Sequence, residues 1–157
     1  MQKIPSFTIN HLTLMPGVYV SRRDFTPSGD CLTTFDVRMT APNRSLSLSA
    51  PVLHTIEHLA ATFLRNDPEW RDRVVYWGPM GCGTGNYLIL QGELEPKQII
   101  PLLQRTFRFC AGFEGQVPGA SPRDCGNYLL MNLPEARIVA KEYLKVLESD
   151  CPTVYPA

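Results

Sequence analysis

The sequence predicts an α+β fold, in which an antiparallel β-sheet packs against helices, and three observations lead to this prediction. Stretches in the first quarter of the chain alternate between polar and apolar residues, as half-buried strands do. Three later stretches carry apolar residues at spacings of three and four, as amphipathic helices do. The order along the chain is strands, a helix, two strands and two helices, which is typical of an antiparallel sheet covered by helices.

Strand-like stretches separated by turn residues account for the predicted sheet. They are residues 6–14, 17–25, 32–40, 74–77 and 87–93. The turn residues Thr26-Pro-Ser-Gly-Asp30 predict a hairpin between the second and third of these. The glycine-rich segment 78–86 joins a strand to a strand and lacks the GK[ST] of a P-loop, so we exclude nucleotide binding there.

The predicted helices have start or stop signals and a face of apolar residues. The first follows Ser49, a good N-cap, and is stopped by Asn66-Asp67-Pro68. The other two span residues 96–113 and 134–147. The positions expected to face the core are Leu53, Ile56, Ala60, Phe63 and Leu64, then Ile99, Ile100, Leu103, Phe107 and Cys110, and finally Ala136, Ile138, Val139, Tyr143 and Val146.

Length and composition favour a single globular domain over residues 1–157. The chain is 44% hydrophobic and 19% charged, and no internal repeat or linker divides it. Fifteen basic and fifteen acidic residues cancel, and no basic run stands out, so we expect no nucleic acid and no membrane as partners.

The chain also predicts a cytoplasmic protein. The N-terminus has no apolar signal segment, and no apolar stretch is long enough to span a bilayer. Five cysteines without a CxxC pair indicate reduced thiols rather than a disulfide framework.

The first predicted helix carries the strongest chemical signal of the chain. His54 and His58 are four positions apart, which places both imidazoles on one helix face, where one metal ion can bridge them. Glu57 lies between them, close enough to exchange protons with whatever the metal holds. The alternative is a pair of core histidines beside an unrelated glutamate.

Two further positions are candidates on local grounds. Cys82 is flanked by glycines that leave its thiol uncrowded, so that with a metal or cation nearby it can serve as an acid or base. The alternative is a small residue at a tight turn. Arg38 lies on the polar face of its strand, with Asp36 two positions earlier, and is either a ligand contact or a solvated charge.

A catalytic metal needs a third protein ligand, and three candidates remain open from the residues alone: Cys125, Cys82 and Glu135. The order H-x-x-E-H is one signature of inverzincin metallopeptidases, in which a downstream carboxylate such as Glu135 completes the site. A third possibility is a non-catalytic module in which Cys82 closes the metal site as a fourth ligand.

Several segments, spread in order over most of the chain, match one known family. They are Ser6-Phe7 with His11, Phe35-Asp-Val-Arg38 with Ala41-Pro-Asn43, His54-Thr-Ile-Glu-His-Leu59, Pro79-Met-Gly-Cys-Gly-Thr-Gly85 and Cys125-Gly-Asn-Tyr128. Through these motifs the sequence resembles the S-ribosylhomocysteine lyase (LuxS) family over nearly its whole length.

The resemblance implies a set of site residues. His54, His58 and Cys125 match the ligands of one divalent metal per subunit, which is iron(II) in the family, with zinc or cobalt also accepted. Glu57 and Cys82 match the catalytic acid/base pair. The positions that help to hold the substrate are matched by Ser6, His11 and Arg38.

The resemblance also implies a reaction and an assembly. Family members cleave S-ribosylhomocysteine to homocysteine and 4,5-dihydroxy-2,3-pentanedione, the precursor of the bacterial signal autoinducer-2. The carbonyl of the opened sugar migrates by proton transfers until β-elimination expels the thioether, and homocysteine returns to the activated-methyl cycle. The family forms homodimers whose two active sites lie at the interface and use both chains.

A few positions depart from the family pattern. Asn10 stands where an aspartate is expected, and Tyr76 where many members have an acidic residue. Gly83 replaces a larger residue after the catalytic cysteine, and Met131 replaces a histidine. We expect these changes to affect substrate affinity and rate rather than the class of reaction.

Overall fold

The computed structural model describes residues 2–156, and within them four strands form one antiparallel sheet. The strands are β1 (Gly17–Phe25), β2 (Cys31–Arg38), β3 (Val74–Pro79) and β4 (Gly85–Gln91). Their order in the sheet is β1-β2-β4-β3, and every neighbouring pair is antiparallel. The predicted hairpin between the first two strands is confirmed, since Phe25 pairs with Cys31.

Three α-helices occur in the described part of the chain: α1 (Ala50–Asn66), α2 (Pro96–Gly112) and α3 (Leu133–Glu148). Each has a proline in its first turn, where a missing N–H costs no hydrogen bond. Glu95 and Gln98 form a capping box on α2, and the Asn132 side chain accepts a hydrogen bond from Glu135 N on α3. The helix boundaries therefore follow from local sequence.

The α+β prediction is confirmed, and the core lies between the sheet and the helices. It is formed mainly by one face of β2 and β4 together with the buried faces of α1, α2 and α3. Fully buried members include Phe35, Val37, Ile56, Leu59, Leu88, Leu90, Leu103 and Phe107. This packing holds α1, which carries both candidate metal histidines, against rigid neighbours.

Residues 6–14 do not form the predicted strand. The chain makes a short 3-10 helix at Pro5–Phe7 and then turns around Asn10. The Asn10 side chain accepts from Leu12 N, and the Asn10 carbonyl accepts from Leu14 N. A polar residue that satisfies nearby backbone donors favours a turn over a ladder, which explains the error.

One predicted core position on α3 is also wrong. Ile138 is 64% exposed, whereas Ala136, Ala140, Tyr143 and Leu147 are buried against the core. Those four positions follow spacings of four, three and four, so the buried stripe runs to one side of Ile138. None of the helices in the described range has the length and apolar character needed to cross a membrane.

Candidate metal centre

His54 and His58 point their rings at one another from successive turns of α1. Their Nε2 atoms are 3.1 Å apart, and the ring planes meet at 84° with centroids 4.7 Å apart. The buried residues Leu53 and Ile56 anchor the same helix turn in the core. The two rings thus sit on a fixed support.

Main-chain carbonyls set the orientation of both imidazoles. His54 Nδ1 is 2.8 Å from the carbonyl oxygen of Leu130, and His58 Nδ1 is 2.7 Å from that of Pro118. A carbonyl only accepts, so in each neutral ring the proton is on Nδ1 and the lone pair is on Nε2. Two lone pairs 3.1 Å apart repel each other, and a cation between them removes that repulsion.

Cys125 completes the group. Its Sγ lies 3.4 Å from His54 Nε2 and accepts a long hydrogen bond from Asn127 N. Tetrahedral coordination with ordinary zinc–ligand bond lengths places two nitrogens about 3.3 Å apart and a nitrogen and a sulfur about 3.6 Å apart. The ligand atoms of His54, His58 and Cys125 all lie within 4.8 Å of one another, so the three side chains fit a single metal ion.

Glu135 and Cys82, the other candidates for a third ligand, are not in this group of the described residues. Glu135 is exposed at the start of α3, where Asn132 Nδ2 donates to its Oε2. A carboxylate in that role is a helix-capping partner. The geometry therefore gives no support to the peptidase alternative or to a site closed by Cys82.

Glu57 and Cys82 face the same cavity as His54. It has a volume of about 520 Å³, and the loop 80–83 forms one of its walls. Cys82 is exposed at the tip of this loop. The loop is held by hydrogen bonds from Gly83 N to Met80 O and from Leu48 N to Gly83 O.

Gly83 has a local structural reason to be glycine. Its φ is +69°, in the left-handed region, and a Cβ there would lie 3.1 Å from the Leu48 carbonyl oxygen. In this loop conformation a larger residue would be strained.

Arg38 is buried and is held by hydrogen bonds to Asp36 and Thr84. Its Nε and Nη2 donate to the two oxygens of Asp36 at 3.0 and 2.6 Å, and its Nη1 donates to Thr84 Oγ1 at 2.5 Å. The same Nη1 is 3.8 Å from Cys82 Sγ, and Cys82 Sγ is 3.0 Å from Thr84 Oγ1. Burial alone would lower the pKa of Arg38, but the hydrogen bonds and charge of Asp36 outweigh it and raise the pKa, so the cation beside the thiol is permanent.

Ser6, His11 and Arg38 line a second cavity of about 270 Å³, together with Cys82. His11 Nδ1 lies 2.9 Å from the Ile9 carbonyl oxygen, which leaves Nε2 free of that contact. Cys82 borders both cavities. The predicted site residues therefore fall around two cavities of one chain that meet at the Cys82 loop, with the metal group and Glu57 on one side.

Several contributors to the site escaped the sequence analysis. Thr84 bridges Arg38 and Cys82, and its position two residues after the cysteine was the available signal. The carbonyls of Pro118 and Leu130 left no signal, because side-chain type does not report where a carbonyl points. Gly119 is an indirect signal, since its φ is +70° and a Cβ there would lie 3.2 Å from His58 Nδ1.

The other three positions that depart from the family pattern, Asn10, Tyr76 and Met131, lie in different local environments. Asn10 caps the turn that carries His11. Tyr76 is 46% exposed and lines a cavity on the outer face of the sheet. Met131 packs against the core, with its sulfur 3.6 Å from Thr55 Oγ1.

Comparison with known proteins identifies the family of this chain. Residues 4–152 match the family model described as S-Ribosylhomocysteinase (LuxS). S-ribosylhomocysteine lyase from Phocaeicola vulgatus is 59% identical over 149 residues, which cover 94% of this chain and 92% of that protein. The lyases from Porphyromonas gingivalis and Clostridium beijerinckii are 59% and 58% identical, over 92% of this chain and 91% and 90% of their own lengths. The chain is a member of the S-ribosylhomocysteinase (LuxS) family.

Proposed function

We propose that this protein cleaves S-ribosylhomocysteine to homocysteine and 4,5-dihydroxy-2,3-pentanedione. The observation that carries the proposal is the joint position of the His54–His58–Cys125 group with Glu57 and Cys82, in a chain of this family. A metal site with two proton carriers beside it suits a reaction that moves a carbonyl group without any net redox change.

His54, His58 and Cys125 would hold one divalent metal, which we propose to be iron(II), with zinc or cobalt as substitutes. When bound, the metal supplies Lewis-acid polarisation of the substrate carbonyl. The Nδ1 hydrogen bonds from His54 to Leu130 and from His58 to Pro118 fix the two rings, and both Nε2 lone pairs would be available to the metal.

Glu57 and Cys82 would move the protons. One of them removes a proton from the carbon next to the carbonyl of the opened sugar, and a proton returns one carbon along, which shifts the carbonyl inward. A second such shift places the carbonyl two carbons away from the carbon that bears the sulfur. Loss of a proton from the carbon between them breaks the C–S bond, and the sulfur leaves with the electron pair and is protonated. The enol left behind rearranges to the diketone.

Arg38, Ser6 and His11 would bind the polar part of the substrate. Arg38 provides a fixed positive charge next to Cys82, and the Ser6 hydroxyl and His11 ring border the same cavity. A sugar chain with several hydroxyls and an amino acid moiety offers partners for all three.

We also propose that residues 1–157 act as one domain and that two copies form the working enzyme. The helices cover one face of the sheet, whereas on strand β3 the side chains of Val75 and Tyr76 are each 46% exposed. Sedimentation equilibrium at micromolar concentration should give twice the chain mass of 17.6 kDa, and a monomer with full activity would contradict the dimer. The cytoplasmic location predicted from the sequence stays a prediction.

The experiment that tests the function identifies both products. The iron-loaded protein is incubated anaerobically with S-ribosylhomocysteine, and the release of free thiol is measured over time. The carbon product is trapped with an aromatic 1,2-diamine and identified by mass spectrometry. We expect one thiol and one diketone for each substrate consumed. Thiol together with free ribose would indicate hydrolysis and contradict the lyase reaction.

A further inference from the structure

The segment after α3 returns to the cavity that contains Ser6, His11 and Arg38. It runs beside β1, where the Pro152 carbonyl accepts a hydrogen bond from Val18 N at 2.9 Å. The ring of Tyr155 then stacks on that of Tyr19, with centroids 4.7 Å apart and planes within 9°. Tyr155 thereby becomes part of the cavity wall.

The hydroxyl of Tyr155 contacts the carboxylate that holds Arg38. It donates to Asp36 Oδ2 at 2.9 Å, the same oxygen that accepts from Arg38 Nη2 at 2.6 Å. The side chains of Asp36 and Arg38 are only 1% and 3% exposed, so no bulk water competes for this oxygen. Tyr155, Asp36 and Arg38 therefore form a continuous hydrogen-bonded chain.

The series of hydrogen bonds continues from Arg38 towards the candidate catalytic thiol. Nη1 is the one guanidinium nitrogen that does not bind Asp36, and it lies 2.5 Å from Thr84 Oγ1 and 3.8 Å from Cys82 Sγ. A guanidinium is planar and rigid, so a rotation of the carboxylate that grips its other two nitrogens moves Nη1 as well.

The Tyr155 hydroxyl keeps its proton and therefore acts as a hydrogen-bond donor. Burial, followed by the charge of Asp36, raises the pKa of its phenol far above the ordinary value, so the hydroxyl keeps its proton. The stack on Tyr19 fixes the ring separately from the hydroxyl. Removing the oxygen alone therefore leaves the anchor in place.

We propose that Tyr155 is a positioning residue of this site, which holds the Asp36–Arg38 pair in the orientation that keeps Arg38 Nη1 beside Cys82. The consequence for substrate binding rests on the proposed lyase function. The placement of Arg38 itself does not depend on it.

The test compares Tyr155→Phe with Val154→Ala, a change at the neighbouring residue, whose side chain is 81% exposed. Both variants are loaded with iron and assayed for thiol release. In Tyr155→Phe we expect KM to rise about 3- to 10-fold and kcat to change less than about twofold, as for the loss of one hydrogen bond that supports substrate binding. Val154→Ala should match the wild type in both constants, and the thermal midpoint of both variants should stay near that of the wild type.

A second readout does not use the lyase reaction. The rate of alkylation of Cys82 by iodoacetamide is measured by peptide mass spectrometry at pH 7. A positive charge 3.8 Å from the sulfur promotes its attack on an alkylating agent, so we expect Tyr155→Phe to slow alkylation about two- to fivefold and Val154→Ala to leave it unchanged. If the wild type releases no thiol from the substrate, the proposed function fails, and this rate alone decides whether Tyr155 places Arg38.

A double variant separates positioning from direct contact. The ammonium introduced by Arg38→Lys lacks the planar fork, so in that background the change Tyr155→Phe should shift KM less than about twofold. Equal KM and alkylation rate in Tyr155→Phe and Val154→Ala would overturn the proposal. An undiminished effect of Tyr155→Phe in the Arg38→Lys background would also overturn it, since Tyr155 would then act on the substrate itself.

Discussion

The two imidazoles of the metal centre depend on peptide groups far away in the sequence. Leu130 and Pro118 supply the carbonyls that fix the Nδ1 protons of His54 and His58. Such partners commonly change metal affinity by about 10- to 100-fold when they are disturbed. The backbone path through residues 117–120 is therefore part of the metal site.

Gly119→Ala tests that path. A Cβ at this position would lie 3.2 Å from His58 Nδ1, and the φ of +70° disfavours alanine, so the Pro118 carbonyl would have to shift. We expect metal affinity, measured by competition with a chromophoric chelator, to fall about tenfold. Gly112→Ala is the control, because a Cβ there meets nothing within 4 Å. Equal affinities in the two variants would contradict the role of the Pro118 carbonyl.

Cys125→Ala tests the third ligand. Without its Sγ, 3.4 Å from His54 Nε2, two imidazoles remain to hold the ion. We expect purified Cys125→Ala to contain much less than one metal per chain by elemental analysis. Cys151→Ala, which changes a half-buried thiol outside the metal group, should bind metal as the wild type does. A normal metal content in Cys125→Ala would reject Cys125 as a ligand.

The sequence could predict the site residues by type and spacing, but not their supporting contacts. The pair at positions 54 and 58, with Glu57 between them, follows from helix geometry, and local sequence made Cys82, Cys125 and Arg38 candidates. The family resemblance added Ser6 and His11. The bridge through Thr84 and the contact of Tyr155 with Asp36 depend on how distant segments pack. No pattern within either segment encodes such a contact.

At the scale of whole elements, side-chain hydrogen bonds hold the C-terminal end of α1, whereas the N-cap residue Ser49 makes no side-chain capping bond. Asp67 ends the helix, accepts hydrogen bonds from Glu69 N and Trp70 N, and pairs with Arg105 at 2.8 Å. Burial alone would raise the pKa of Asp67, but the Arg105 and backbone hydrogen bonds outweigh it and lower the pKa.

Asp67→Asn should destabilise the protein in a pH-dependent way. The folded-state pKa of Asp67 is below the unfolded value, so its contribution to the free energy of unfolding is complete above about pH 4 and is lost as the pH falls through the folded-state pKa. We expect a loss of about 1 kcal/mol at pH 7, since Arg105 is partly exposed, measured by urea denaturation. The difference from wild type should shrink below pH 4.

Glu142→Gln is the matched control for that experiment. It removes an ion pair with Lys145 whose side chains are 62% and 63% exposed. We expect less than about 0.5 kcal/mol at any pH. A pH-independent loss in Asp67→Asn would mean that the charge of Asp67 does not stabilise the helix end.

The elements predicted well are those whose pattern repeats. Strands β1 and β2 and all three helices have several turns or alternations that agree with one another. The strand prediction for residues 6–14 is wrong because a single side chain, Asn10, closes a turn. The core prediction for Ile138 is wrong because the buried stripe of α3 runs to one side of it. In both cases local hydrogen bonding or tertiary packing outweighed a weak pattern.

For the molecule as a whole, the core and the metal group are separate. The buried cluster between the sheet and the helices includes neither His54 nor Cys125, both of which are only half-buried. Removal of the metal by a chelator should therefore abolish thiol release while the helical circular dichroism is retained. Unfolding on chelation would instead indicate a structural metal site.

The measurement that tests the account most directly is made on Glu57→Gln and wild type loaded with the same metal. Metal content and thiol release from S-ribosylhomocysteine are measured on the same samples. Glutamine keeps the shape of the side chain but cannot act as a base near neutral pH, so we expect equal metal content and a loss of at least about a hundredfold in turnover. Full turnover by Glu57→Gln would remove Glu57 from the mechanism, and absence of thiol release by metal-replete wild type would contradict the lyase function itself.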